Sequence, residues 1–383
     1  MFLLALTMSV NKLTILVAII AIVFGILISP LSREYPLFHW IAKFDVALIG
    51  LLPALTPPEW GYTFEMLQEV DLRGQNALIT GGNSGIGFEI AKALSLRGAA
   101  VTLACRNAQR CFAAADMIRK AKDYSGAPIH PLIMDVSDLK SVQKGAKTYL
   151  QHNDNQPLDM LFLNAGIFVE YNKGDTKLPT SKDGIELVYA TNVVGHHLLY
   201  RLLEPALQNS TMARVVSTSS LASISWLPKH GDELIPSTLN ELNEGIPTFK
   251  LQYILYGRSK LAQVAWSKAL TRRLGDKSTI YVNAANPGAV QTPMTMSKHI
   301  PPILPQFVKD AIYYLESQLL WKTEEGALTE LYLGVATDEI RKNNIRGKYF
   351  HPQSVEVDHP YAKNETLQEN VWNLCEELVK DFI

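Results

Sequence analysis

The chain has 383 residues, 47% of them hydrophobic, and a formal net charge of −1 from 36 Lys and Arg against 37 Asp and Glu. That balance gives no reason to expect a nucleic-acid partner, and the length exceeds the roughly 250 residues that one α/β domain fills. Three cysteines (Cys105, Cys111 and Cys375) without a C-x-x-C pair predict reduced thiols packed as small apolar groups, with neither a structural disulfide nor a zinc site.

The surplus length lies at the front. Residues 14–28 carry no charge, and with their apolar flanks they approach the roughly 20 residues that span a bilayer. A cleaved signal peptide is the rival reading, but Ser29-Pro30 follows without a small-x-small cleavage site. Residues 1–33 are therefore expected to be a retained transmembrane anchor. Residues 34–63 hold two apolar runs interrupted by Lys43 and Asp45, which suits an interfacial segment with aromatic anchors, or a greasy collar near a substrate mouth. Pro53, Pro57 and Pro58 break that pattern, and the folded domain is expected to cover residues 64–383. Lys12 precedes the uncharged run while Arg33 and Lys43 follow it, a bias that places the domain in the cytosol. Two sequons, at Asn209 and Asn364, would be usable only in a lumenal domain.

From residue 76 onward, apolar runs alternate with helical stretches, as crossover units of a parallel sheet demand. Strands are expected at residues 76–80, 100–105, 129–134, 160–163, 214–218 and 281–285. Helices are expected to begin near Ile86, Ala108, Leu139, Ile185, Leu255 and Glu324. The fold class is thus α/β, a Rossmann-like doubly wound parallel sheet in a three-layer sandwich behind a transmembrane anchor. Between the first strand and helix lies Thr80-Gly81-Gly82-Asn83-Ser84-Gly85-Ile86-Gly87. Glycines let a backbone approach a ligand, and a helix start offers free N–H groups to a pyrophosphate. Further on, Tyr256 and Lys260 are four residues apart, which on a helix puts both on one face. An ammonium there favours the phenolate of a tyrosine whose free pKa is about 10, so the pair could move a proton.

With these motifs the chain resembles the short-chain dehydrogenase/reductases, from about Leu72 to its C-terminus. The turn Asn164-Ala165-Gly166 is similar to the family's turn after the fourth strand. The resemblance implies that Asp135 contacts the adenine ring and that Asn192 holds a proton-relay water. It implies that Ser220 is the active-site serine and that Pro287, Gly288 and Thr292 belong to a loop closing over the nicotinamide. The cofactor-binding set is then Thr80, Gly81, Asn83, Ser84, Gly85, Ile86, Gly87, Arg106, Asp135, Asn164, Ala165, Gly166, Tyr256, Lys260, Pro287, Gly288 and Thr292. The catalytic set is Ser220, Tyr256, Lys260 and Asn192, with no metal.

Cofactor choice is read at the end of the second strand. NAD-binding proteins place a carboxylate there for the ribose 2′-hydroxyl, whereas this strand ends in Arg106-Asn107, which suits the 2′-phosphate of NADP(H). The stretch between Ser220 and Tyr256 holds Trp226, Leu227, Leu234, Ile235, Phe249 and Tyr253, and resembles an insertion that borders the substrate cleft in the retinol-dehydrogenase-like branch. Residues 326–333 and 346–350 also resemble that branch. The resemblance implies hydride transfer between nicotinamide and a retinoid, sterol or other lipid aldehyde or ketone. In that scheme Tyr256 donates the proton, Ser220 orients the oxygen, and Lys260 lowers the tyrosine pKa. The expected partners are a small lipophilic substrate and a lipid bilayer, that of the endoplasmic reticulum or a lipid droplet; a homodimer is left open. A membrane-tethered nucleotide-binding scaffold with little turnover is the alternative.

Overall fold

The computed structural model describes residues 61–154, 156–170, 178–225, 227, 233, 235–244, 251–292, 305, 306, 310 and 320–383. The expected anchor at 1–33 lies outside them, as do residues 34–60 of the interfacial segment and the side chains of Trp226, Leu234 and Phe249. Among the described residues no helix is long and apolar enough to cross a membrane.

Among the described residues eight strands form one sheet: β1 (Asn76–Thr80), β2 (Ala100–Cys105), β3 (Ile129–Ile133), β4 (Met160–Leu163), β5 (Ala213–Thr218), β6 (Ile280–Ala285), β7 (Tyr349–His351) and β8 (Val355–Glu356). Their spatial order is β3-β2-β1-β4-β5-β6-β7-β8. Pairing is parallel through β7, and β8 returns antiparallel. This is a doubly wound, Rossmann-like α/β fold. The chain's direction of winding reverses between β1 and β4, and a ligand crevice opens beyond the carboxyl ends of the strands at such a point. The first six strands lie within one residue of their expected bounds. β7 and β8 were not expected, because runs of three and two residues carry no readable alternation.

Helices cover both faces. On one side lie α1 (Phe64–Gln68), α2 (Gly85–Leu96) and α3 (Ala108–Arg119); α4 (Leu139–His152), α5 (Gly195–Gln208) and α6 (Leu251–Leu274) lie on the other. Further along, α7 (Leu328–Val335) joins the first layer and α8 (Glu365–Val379) packs against α6. Ile79, Leu103 and Phe162 of the strands meet Ile90, Leu94, Ala114 and Leu331 of the helices in one buried cluster. Each such leucine or isoleucine contributes about 1.5–3 kcal/mol when fully buried. Burial on both faces is why the strands read as apolar runs. A short helix (Leu187–Tyr189) and a π-helical turn (Ala190–Val194) lead into α5, with the Glu186 carboxylate accepting from the Val188 and Tyr189 N–H groups.

One expectation is corrected. Cys105 and Cys111 form a disulfide, with Cα atoms 5.8 Å apart, while Cys375 is buried and free. The sequence spacing conceals this pair because the turn between β2 and α3 folds Cys111 back onto the strand end.

Candidate active site

The glycine loop joins β1 to α2. Ser84 stands at the N-cap of α2 without a side-chain cap bond, which leaves the first-turn N–H groups for another acceptor. Gly85 adopts φ +57°, and a Cβ there would lie 3.5 Å from the Thr292 methyl. Asn83 and Ile86 flank this opening, half-buried. At Gly87 a Cβ would lie 2.4 Å from Asn164 Nδ2 and 2.6 Å from the Gly81 carbonyl, so only glycine lets the loop close on the β4 turn. Uncapped amides beside a glycine-lined opening fit a pyrophosphate.

Two members of the expected set are committed within the protein. The Thr80 hydroxyl accepts from the N–H groups of Asn164 and Ala165, each at 2.9 Å, and the Asn164 amide donates to the Thr80 carbonyl at 2.8 Å. Thr80 also lies 2.9 Å from Nε2 of His196, a residue that sequence reasoning missed. Burial holds His196 neutral, with a pKa pushed down to about 3. Its Nδ1–H donates to the Asn192 carbonyl at 3.1 Å, so Nε2 accepts from the threonine. Its position one turn after Asn192 was the available signal.

Gly166 carries the β4 turn to the reacting end of the crevice. A Cβ there would be 3.4 Å from Asn192 Oδ1 and 3.5 Å from Lys260 Nζ. The π-helical turn presents Asn192, whose Oδ1 accepts from the Ile167 N–H at 2.9 Å and whose amide donates to Ser259 Oγ at 2.9 Å. Ser220 follows β5, and its hydroxyl hydrogen-bonds the Tyr256 phenol. Lys260 Nζ donates to the Thr218 carbonyl at 2.8 Å and lies 5.4 Å from the centre of the Tyr256 ring. Ser220, Tyr256, Lys260 and Asn192 therefore converge at the carboxyl end of β5.

Electrostatics there differ from the expectation. Burial raises the Tyr256 pKa to about 12, and the Ser220 hydrogen bond opposes this without cancelling it. Lys260 does not depress the phenol here, because its ammonium is turned to the Thr218 carbonyl and burial lowers its own pKa to about 7. Opposing that loss is Glu330 on α7, a carboxyl with no exposure and, among the described residues, no side-chain hydrogen-bond partner. Burial raises Glu330 to about 8. Sequence reasoning missed Glu330; a charge inside the apolar run Ala327-Leu328-Thr329-Glu330-Leu331 was the signal.

The remaining expected residues lie beyond the carboxyl ends of β2, β3 and β6. Arg106 is exposed just past β2 and has no ion-pair partner among the described residues. Asp135 accepts from the Ser137 N–H at 3.0 Å and hydroxyl at 2.7 Å. Pro287 is buried, and Gly288 adopts φ +84° against Trp321. The buried Asn286 side chain accepts from the N–H groups of Leu221 and Gly288, at 3.1 and 3.0 Å, and so couples the serine loop to the Pro-Gly turn. Beside Tyr256 stands an apolar wall of half-buried Ile167, Phe168 and Val169. Phe168 meets the rings of Tyr253 and Tyr256, each with centroids 5.6 Å apart.

This geometry is that of a nicotinamide-dependent oxidoreductase, and the comparisons agree. The family model described as short chain dehydrogenase matches residues 75–229. Short-chain dehydrogenase TIC 32 A, chloroplastic, of Brassica napus is 30% identical over 325 residues, covering 83% of this chain and 92% of that protein. Retinol dehydrogenase 14 of Homo sapiens is 32% identical over 321 residues, covering 80% and 87%. A crystal structure of an uncharacterised protein from Mycobacterium paratuberculosis superposes with TM-score 0.60 at 25% identity, covering 84% of this chain and 98% of that one. The chain belongs to the short-chain dehydrogenase/reductase family, in its retinol-dehydrogenase-like branch. As such it is an oxidoreductase that binds NAD(P).

Proposed function

We propose that the chain is a membrane-held, NADP(H)-dependent reductase of lipophilic carbonyl compounds, with retinoid, sterol and other lipid aldehydes or ketones as the substrate class. The observation that carries this reading is the convergence of Ser220, Tyr256, Lys260 and Asn192 beside the half-buried wall of Ile167, Phe168 and Val169. An apolar substrate gains from burial against that wall, and its oxygen finds a proton donor at the far end. The relative named for retinol supports the same class. For the cofactor, the support is the exposed Arg106 guanidinium, without an ion-pair partner among the described residues, where a carboxylate would serve NAD. The uncharged run at 14–28 supports attachment to a membrane that also holds such substrates.

When bound, the nicotinamide supplies the hydride. The glycine loop and α2 amides would hold the pyrophosphate, Asp135 the adenine, and Lys260 the nicotinamide ribose. Tyr256 is protonated at neutral pH, its pKa near 12, and is therefore ready to give its proton to a substrate oxygen. Ser220 holds that oxygen beside the phenol. Asn192 is fixed by two partners and marks the side from which the proton is replaced.

The test is NADPH consumption by the full chain in detergent with retinal, isoprenoid and long-chain aldehydes, alongside short polar aldehydes. Selective turnover of the apolar panel is expected. Turnover of only the polar compounds would overturn the substrate class, and binding of NADPH without turnover would favour the scaffold.

A further inference from the structure

We propose that the Cys105–Cys111 disulfide is a reversible redox site that sets how firmly the chain holds a 2′-phosphorylated dinucleotide. This rests on the reading of Arg106 as the 2′-phosphate contact.

The bond closes a ring from the last residue of β2 to the first turn of α3. Within the ring stand Arg106, Asn107, Ala108, Gln109 and Arg110, all exposed, whereas the two cysteines are 2% and 0% exposed. Asn107 caps α3 by accepting from the Arg110 N–H at 2.9 Å with its side chain and from the Cys111 N–H at 3.0 Å with its carbonyl, so the helix start is fixed by this cap and by one covalent link. Both guanidinium groups of the β2–α3 turn thus project from a closed loop. The ring also adjoins the phosphate loop, since the Gly81 N–H donates at 2.8 Å to the carbonyl of Ala104, the residue before Cys105. Neither cysteine has any part in the catalytic chemistry above.

The redox step is thiol–disulfide exchange with an external dithiol. A thiolate attacks one sulfur, the Cys105–Cys111 bond breaks, and a mixed disulfide forms. The second external thiol then displaces the protein sulfur. The chain gains two electrons and two protons as two thiols, and the dithiol is oxidised to its disulfide. A small-molecule disulfide reverses the exchange. Because the sulfurs are buried beneath five exposed residues, attack follows a local opening of the β2–α3 turn. Once the link is broken, the turn is held by the Asn107 cap, and binding must order the arginines that the ring had preorganised. NADH offers them no 2′-phosphate, so its affinity changes little.

The experiment uses the full chain in detergent, purified in air. Maleimide labelling under denaturing conditions should modify one cysteine before dithiothreitol and three after it. Reduction should weaken NADPH about ten-fold and leave NADH within about two-fold, the scale of a charged contact that loses its preorganisation. Cys111→Ala should bind NADPH like the reduced chain and ignore dithiothreitol. If that variant fails to fold, reduced and alkylated wild-type chain replaces it. Labelling of all three cysteines without reductant overturns the proposal, as does a bonded pair whose reduction leaves NADPH selectivity unchanged. Equal affinity for NADPH and NADH in the oxidised chain instead overturns the Arg106 reading, and the switch with it.

Discussion

Lys260 donates to the Thr218 carbonyl across 2.8 Å, which ties the middle of α6 to the last residue of β5. Its charge is thereby held over the face of the Tyr256 ring and not at the hydroxyl. The two side chains consequently separate in what their loss should do.

Tyr256→Phe removes the proton donor and keeps the ring against Phe168. Turnover should fall by about 10²–10⁴-fold, the usual worth of a positioned acid, with NADPH affinity within about two-fold of wild type. Lys260→Ala should lower both. Steady-state rates and fluorescence titration read the two effects, and a Tyr256→Phe enzyme with near-normal kcat would remove the phenol from the chemistry.

Glu330 should leave a pH signature on stability. Its folded pKa of about 8 exceeds the ordinary 4.5, so the folded chain holds an extra proton between those values. The stability tied to that proton is complete below about pH 4.5 and is lost as pH rises through about 8. Lys260 works oppositely: its folded pKa of about 7 lies below 10.5, so the penalty of burying its charge is relieved as pH rises between them. Relative to wild type, Glu330→Gln should therefore gain Tm progressively from pH 5 to 8.5, by an amount corresponding to about 1–3 kcal/mol. Parallel Tm curves for the two proteins would mean that Glu330 does not titrate in this window.

Arg106→Asp places an anion where the 2′-phosphate is expected. NADPH should weaken by about ten-fold or more, from the loss of a charged hydrogen bond worth about 1.5–3 kcal/mol, while NADH changes far less. Equal losses for the two cofactors would make the arginine structural.

Gly87→Ala tests the cradle. The new methyl would meet Asn164 Nδ2 and the Gly81 carbonyl at 2.4 and 2.6 Å, and the loop would have to shift. Overpacking of this kind costs about 1–3 kcal/mol, visible as a lower Tm together with weakened binding of both dinucleotides. An unchanged Tm and affinity would show that the loop does not rely on this contact.

Attachment to membranes is expected to survive high-salt and carbonate washes and to depend on residues 1–33. Deleting residues before Tyr35 should release part of the protein, while the segment from 35 to 52 keeps a detergent-sensitive attachment. Asn209 and Asn364 should remain unglycosylated; a glycan on either would reverse the proposed orientation.

Much of the architecture was legible because burial on two faces turns strands such as Met160–Leu163 into unbroken apolar runs. The glycine loop and the Tyr256/Lys260 spacing were legible for a similar reason, since each needs fixed residue types at fixed intervals. What stayed hidden depends on partners remote in sequence. The protonation of Lys260 is set by its burial and by Glu330, seventy positions away in another layer. The expected helix near Leu255 in fact begins at Leu251, and that near Ile185 becomes a short helix and a π-helical turn. The disulfide required knowing that a strand end and a helix start are adjacent.

The π-helical turn at Ala190–Val194 has a further consequence for how this chain tolerates change. Two docking demands meet on one continuous helical path: Asn192 reaches Ile167 and Ser259, while Gly195 presses so closely on the Val136 carbonyl that a Cβ would lie 1.8 Å from it. The widened turn acts as a phase shifter between those two faces. Each residue of an α-helix turns the path by about 100°, so removing one residue here would swing one face out of alignment as the other was restored. A single-residue deletion would separate the asparagine from its partners even if the helix itself survived.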